Sequence, residues 1–163
     1  MKKFHLTIIL VIGFSFFGAG LKAGPPSWRD QPAVIKMIEE ARKNTKQVPL
    51  AEFKKLWDED ADIIILDVRT PREYEAAHIP WADNAPRGLL EFAIWSLVQD
   101  QNEHIYVYCK TGGRAALATE LLNEFGYKNA FAVSTGIADW ARSGYPVQTS
   151  ITDEELILLP AEE

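Results

Sequence analysis

The chain has 163 residues, of which 47% are hydrophobic and 25% are charged, and it contains a single cysteine. This composition is typical of one globular domain, and the lone cysteine excludes a disulfide framework and any cysteine-rich zinc or iron–sulfur site. The formal net charge of -6 argues against nucleic acid as a partner, because phosphate binding depends on clustered lysine and arginine.

Residues 1–23 have the organisation of a secretory signal peptide. Two lysines near the start precede an apolar run at 6–17, and small residues follow up to Ala23. The uncharged stretch 6–21 is shorter than the roughly 20 residues that span a bilayer, and an uncleaved anchor is the alternative. We expect cleavage after Ala23 and a periplasmic or secreted protein, not bound to a membrane, with a net charge of -9. A free thiol is unusual in an oxidising compartment, which favours a reactive role for it.

Helical and strand patterns then alternate along the chain. An apolar stripe at 28–41 predicts a helix within an N-terminal helical extension, residues 24–47. Continuous apolar runs predict strands that are buried on both faces, at 63–66, 105–108 and 130–133. Helices are predicted at 50–57, from a Thr70/Glu73 capping box to about Ala77, and at 88–98, 114–125 and 136–142.

This alternation predicts an α/β fold with a parallel sheet and helices on both faces. We expect one domain, residues 48–149, followed by an acidic C-terminal tail, residues 150–163. Most of that tail should be frayed, although the apolar residues 156–159 can dock on the domain.

The most informative segment surrounds Cys109, which stands between the predicted strand 105–108 and a helix that begins near Arg114. Gly112 and Gly113 allow the intervening loop to curl so that successive backbone N–H groups face the sulfur. The positive end of the helix adds to this effect, as do the charges of Lys110 and Arg114. The thiolate should therefore be favoured, which makes Cys109 a candidate nucleophile.

Each of these residues also has a plainer interpretation. Cys109 could be a small buried hydrophobe, Arg114 could tie down loop carbonyls, and Lys110 could be a solvated surface residue. An anionic substrate would nevertheless be repelled by so acidic a protein unless a local positive field opposed the overall charge. Candidate sources of that field follow predicted strands or begin helices: Lys110, Arg114, Arg69, Arg72 and Arg87.

Residues 48–147 resemble the single-domain rhodanese family, the thiosulfate sulfurtransferases. The matching motifs occur in the family's order: Asp67-Val-Arg, His78-Ile-Pro, the loop Tyr108-Cys-Lys-Thr-Gly-Gly-Arg, Gly136 with Trp140, and Gly144-Tyr-Pro-Val. The resemblance implies a five-stranded, mainly parallel sheet and a persulfide intermediate on Cys109. It also implies that the loop binds the anionic substrate, through Lys110, Thr111, Gly112, Gly113 and Arg114.

The sequence departs from the family pattern at three positions. Trp81 stands where the family usually has glycine, and we expect its loop to reach the rim of the site. Thr135 replaces the first residue of a usual Gly-Gly pair. Glu73 lies near a position where some tandem-domain relatives carry a substrate-binding arginine, which leaves thiosulfate open as the natural donor. We assign Glu73 a capping role only.

The resemblance implies a ping-pong reaction in which Cys109 takes sulfur from thiosulfate or a similar anionic donor and passes it to cyanide, a thiol or a protein acceptor. No general base is required, so His78 and His104 are dispensable, and we expect no metal and no cofactor. A cysteine-dependent phosphatase or arsenate reductase is one alternative, but such enzymes resemble Cys-x5-Arg, whereas Cys109 and Arg114 form the shorter Cys-x4-Arg. A non-catalytic persulfide carrier or thiol redox sensor that docks another protein is the other alternative.

Overall fold

A computed structural model describes residues 27, 29 and 31–150 and the backbone of 152–157. The predicted signal peptide, residues 1–23, lies outside the described residues. Helix α1, Pro32–Asn44, begins four residues after the start of the apolar stripe at 28–41 that predicted it. Pro32 fits the first helical turn, because the N–H that proline lacks is not needed there. Within the described part, no helix is both long and apolar enough to span a bilayer.

The centre of the molecule is a five-stranded parallel sheet, which confirms the predicted fold class. Its strands are β1 Lys46–Val48, β2 Ile64–Asp67, β3 Asp83–Asn84, β4 Ile105–Tyr108 and β5 Ala130–Val133. The strand order is β1-β5-β4-β2-β3, so the three strands predicted from apolar runs are the central members.

Helices cover both faces of this sheet, with a separate apolar core on each side. The remaining helices are α2 Leu50–Asp58, α3 Pro71–Ala76, α4 Leu90–Leu97 after a 3₁₀ turn at Arg87–Leu89, α5 Gly113–Glu124 and α6 Ile137–Arg142. Helices α4 and α5 bury Ile94 and Leu122 on one face. Helices α2 and α6 bury Phe53 and Trp140 on the other. Because side chains alternate along a strand, the same short strands supply both cores.

The C-terminal segment differs from the frayed tail that we expected. Strand β7, Thr152–Ile157, pairs antiparallel with β6, Pro146–Thr149. Strand β6 is itself attached to the domain, because the backbones of His78 and Gln148 exchange two hydrogen bonds of 2.8 Å. The segment is ordered by these backbone hydrogen bonds, and its acidic composition gave no sign of them.

Trp81 has a left-handed backbone conformation, with φ of 67°. A side chain is strained in this region, whereas glycine is not, so the geometry accounts for the glycine that the resembling family usually has here. The indole stacks on Trp57 at a centroid distance of 4.8 Å, a contact that partly offsets the backbone strain.

Candidate active site

Cys109 directly follows β4 at the carboxyl end of the sheet, where open α/β folds bind their ligands. The residue is only 1% exposed, yet it lines a cavity of about 430 Å³. Cys109 thus packs in the buried apolar core of that side of the sheet, as the plainer interpretation expected, and it also borders the cavity. The cavity is lined by Cys109, Lys110, Thr111, Gly113 and Arg114 of the loop and by Arg29, Val34, Ile38 and Leu117.

Gly112 gives the loop its curl. Its φ is +86°, and a Cβ at this position would lie 2.5 Å from the carbonyl oxygen of Ser134. Only glycine satisfies both the conformation and the close approach. Across the part of the chain that the structure describes, the backbone N–H groups of residues 110–115 donate no hydrogen bond within the protein. A run of such donors at the N-terminus of a helix is an arrangement that favours negative charge.

Helix α6 holds the opposite side of the same loop. The carbonyl oxygens of Cys109 and Lys110 accept hydrogen bonds from the N–H groups of Ile137 and Ala138, at 3.0 and 3.3 Å. Since the N–H and C=O of a trans peptide point in opposite directions, these contacts turn the N–H groups of Lys110 and Thr111 away from α6. A Cβ on Gly136 would overlap the Cys109 carbonyl oxygen, so this contact requires glycine. Sequence reasoning missed it, although the Gly136 motif was a signal.

Arg114 is held by a carboxylate. Its guanidinium makes two hydrogen bonds of 2.8 Å to the two carboxylate oxygens of Glu73. The hydrogen bond from Arg114 lowers the pKa of Glu73 to about 2, against the effect of burial, and the Thr70 hydrogen bonds act in the same direction. Its hydrogen bond to Glu73 raises the pKa of Arg114, and the nearby Cys109 sulfur adds to this. Glu73 therefore forms the predicted capping box with Thr70 and also positions Arg114, a role that we did not assign to it.

The other candidate arginines lie away from the cavity. Arg69 is buried and pairs with Asp67 at 2.6 Å, and it also donates to the carbonyl of Ala77. Its charge is thus balanced by an adjacent carboxylate. Arg72 and Arg87 are exposed, and none of the three is among the described residues that line the cavity. Lys110 and Arg114 do line it and remain candidates for binding an anionic substrate, and sequence reasoning did not anticipate Arg29 beside them.

No described histidine or tryptophan lines the cavity. Nδ1 of His78 lies 2.9 Å from the carbonyl oxygen of Tyr74, and the imidazole stacks on the Tyr74 ring. Trp81 borders a separate cavity of about 90 Å³ beside Trp57, so our expectation that it reaches the rim of the site was wrong. The described residues contain no Cys–His pair, and this geometry favours chemistry in which the thiolate acts without a general base.

Helix α1 contributes a wall of the cavity through Val34 and Ile38. It packs closely on the start of α5, because a Cβ on Gly113 would lie 3.1 Å from Cδ1 of Ile38. From the sequence we described this helix only as an extension. Its apolar stripe indicated that it docks but not where.

A model of the rhodanese-like domain matches residues 49–143 of this sequence. The chain belongs to the rhodanese-like family. Helix α1, which walls the cavity, lies outside the matched residues, whereas the whole cysteine loop and its α6 clamp lie inside them.

Several known proteins are similar to the chain. It is 35% identical over 105 residues to the "Putative sulfur carrier protein YrkF" of Bacillus subtilis, covering 63% of this chain and 56% of that protein. It is 37% identical over 62 residues to the thiosulfate sulfurtransferase PspE of Escherichia coli, covering 38% and 60%. The chain thus spans less than two thirds of either relative. The structure of a Rhodopseudomonas palustris protein of unknown function, described as a "Possible Tyrosine Phosphatase", superposes with a TM-score of 0.67 at 27% identity, covering 77% and 100%.

Proposed function

We propose that this rhodanese-family protein is a sulfurtransferase that carries sulfane sulfur on Cys109, from thiosulfate or a similar small anionic donor to a nucleophilic acceptor. One observation carries the proposal: Cys109 lines a cavity at the N-terminus of α5, beside a run of backbone N–H groups that donate no hydrogen bond within the described chain. Donors fixed in this way stabilise negative charge without reorganising during the reaction. The similarity to a thiosulfate sulfurtransferase and to a sulfur carrier supports the same chemistry.

The reaction has two balanced steps. The Cys109 thiolate attacks the outer sulfur of thiosulfate, the S–S bond of thiosulfate breaks, and sulfite leaves with the bonding electron pair. This step gives the persulfide anion of Cys109. In the second step cyanide attacks the outer sulfur, the new S–S bond breaks, thiocyanate leaves and the Cys109 thiolate is restored. The Cys109 thiolate, the persulfide anion and the restored thiolate all carry negative charge on sulfur, so the surrounding amides support both steps.

The side chains of the loop have different roles in this scheme. Lys110 is exposed at the cavity and makes no ion pair within the described part of the chain, so it attracts the anionic donor. Arg114 is already bound to Glu73 by two hydrogen bonds, so it acts mainly as a positioning residue for the loop. Gly112 and Gly136 permit the backbone contacts that aim the amides.

Intact mass spectrometry after incubation with thiosulfate tests the proposal. We expect an adduct of ~32 Da, one sulfur atom, which cyanide removes and which Cys109→Ser does not form. A folded wild-type protein that forms no adduct would overturn the assignment. Turnover of p-nitrophenyl phosphate without a sulfur adduct would favour a phosphatase, the function suggested for the Rhodopseudomonas palustris protein.

The same experiment separates a transferase from a carrier. A transferase loses the adduct to cyanide or a small thiol and turns over repeatedly with thiosulfate. A carrier would hold the persulfide and release it only to a partner protein, as the name of the Bacillus subtilis relative suggests for that protein. We also propose that the protein works in the periplasm or outside the cell, on the basis of residues 1–23.

A further inference from the structure

The cavity at Cys109 has an apolar side that the proposed donors do not need. Val34 and Ile38 of α1 form this side together with Leu117 of α5. Thiosulfate and cyanide have no hydrocarbon part, so neither gains from contact with these side chains. Helix α1 lies outside the residues that match the family, so the part of this wall that Val34 and Ile38 form is an addition to the matched domain.

The size of the cavity points in the same direction. Its volume of about 430 Å³ falls in the range of roughly 300–1,000 Å³ that is usual for organic ligands. Thiosulfate has only five non-hydrogen atoms and would fill a small part of it. Lys110 also lines the cavity, is exposed and makes no ion pair within the described part of the chain, so the space combines an apolar wall with positive charge. Arg114 contributes little net charge, because Glu73 neutralises it.

We propose that the sulfur acceptor is a small organic thiol with an apolar body and an anionic group. This inference rests on the proposed sulfurtransferase function. The apolar body lies against Val34, Ile38 and Leu117, and the anionic group pairs with Lys110. The acceptor thiolate attacks the outer sulfur of the Cys109 persulfide anion, and the bond from that sulfur to Cys109 breaks. The electron pair of this bond returns to Cys109 as the thiolate, and the acceptor leaves as its own persulfide anion.

A series of alkyl thiols tests the acceptor class, with thiosulfate saturating and sulfite release as the readout. The three probes are 3-mercaptopropionate, 6-mercaptohexanoate and 6-mercapto-1-hexanol, all primary thiols of similar reactivity. Burial of one methylene favours binding roughly fourfold, so three more methylenes should raise kcat/KM for the hexanoate at least tenfold over the propionate. The neutral hexanol should be several-fold poorer than the hexanoate, because it lacks the anionic group.

Variants of α1 show whether this helix is the cause. Ile38→Ala and Val34→Ala should each lower the hexanoate-to-propionate ratio about threefold or more, since both remove apolar contact. Met37→Ala is the matched control, because Met37 is on the same helix, 44% exposed and outside the cavity lining. It should leave the ratio unchanged.

The outcomes separate this inference from the function on which it rests. A protein that forms the persulfide but shows no chain-length preference overturns the acceptor class alone. Equal loss of the ratio in Ile38→Ala and Met37→Ala overturns the role of the wall. A protein that forms no persulfide overturns the proposed function, and the acceptor class falls with it.

Discussion

Replacing Glu73 by glutamine tests whether an ion pair holds the cysteine loop. Glutamine retains an oxygen that can accept the Thr70 hydrogen bonds of the capping box, so the change removes mainly the negative charge that faces Arg114. Arg114 would then be partly buried without its counter-charge. We expect a less stable protein and a slower first step of sulfur transfer, because Arg114 follows directly on the loop.

The size of the effect follows from the pKa of Glu73, which Arg114, together with the hydrogen bonds of Thr70, lowers from 4.5 to about 2. A shift of this size corresponds to roughly 3 kcal/mol at 1.36 kcal/mol per unit. The Glu73 side chain is 33% exposed and that of Arg114 is 36% exposed, so solvent screening reduces the expected loss to ~1–2 kcal/mol. Because the folded pKa is the lower one, the stabilisation is complete above about pH 5. It declines as the pH falls towards 2.

Denaturant unfolding of wild-type protein and Glu73→Gln at pH 7 and at pH 3 measures this dependence. The difference in the free energy of unfolding should be largest at pH 7 and clearly smaller at pH 3. The other carboxylates titrate equally in both proteins, so the difference isolates Glu73. An equal difference at both pH values, or none at pH 7, would show that the ion pair does not hold the loop.

Three further predictions concern backbone conformation and processing. Trp81→Gly should be more stable than Trp81→Ala by about 1 kcal/mol in denaturant unfolding, because both variants lose the indole but only alanine is strained in the left-handed conformation of residue 81. If Trp81→Ala were the more stable variant, the backbone of residue 81 would not be strained. Gly136→Ala should cost ~1–3 kcal/mol and slow persulfide formation, since its Cβ overlaps the Cys109 carbonyl oxygen, whereas Gly88→Ala, with open space around it, should be neutral in the same assays. Mass spectrometry of protein exported by the cell should find an N-terminus near Gly24, and a full-length chain would indicate an anchor.

The central strands were predictable, and the edge strands were not. Strands β2, β4 and β5 are continuous apolar runs, because helices cover both faces of the sheet at its centre. Strand β1 begins with Lys46 and Gln47, and β3 is Asp83 and Asn84, so neither has an apolar run. Their strand conformation comes from pairing with a neighbour that is distant in sequence, as Lys46 pairs with Phe131. Local patterns do not contain this information.

The site shows the same division between local and distant information. The curl of the loop follows from Cys109 and the adjacent glycines, and it was predicted together with the cavity cations Lys110 and Arg114. The α6 clamp and the Glu73 ion pair join segments that are tens of residues apart, so spacing within one motif could not show them. Arg69 was among the candidate sources of positive field because of its charge. In the structure it is buried and forms an ion pair with Asp67, which balances that charge.

The arrangement of charge around Cys109 favours fixed dipoles over free cations. Both Arg69 and Arg114 are paired with carboxylates, so they add little net positive charge to the cavity. Backbone amides cannot be neutralised by a mobile partner, and a dipole at a partly buried site is screened by salt much less than an exposed charge. In the proposed function, the loop amides therefore stabilise the sulfur anion locally, while exposed Lys110 attracts the donor over a longer range. With this division of roles, a protein with a net charge of -6 needs no basic surface in order to bind an anionic donor.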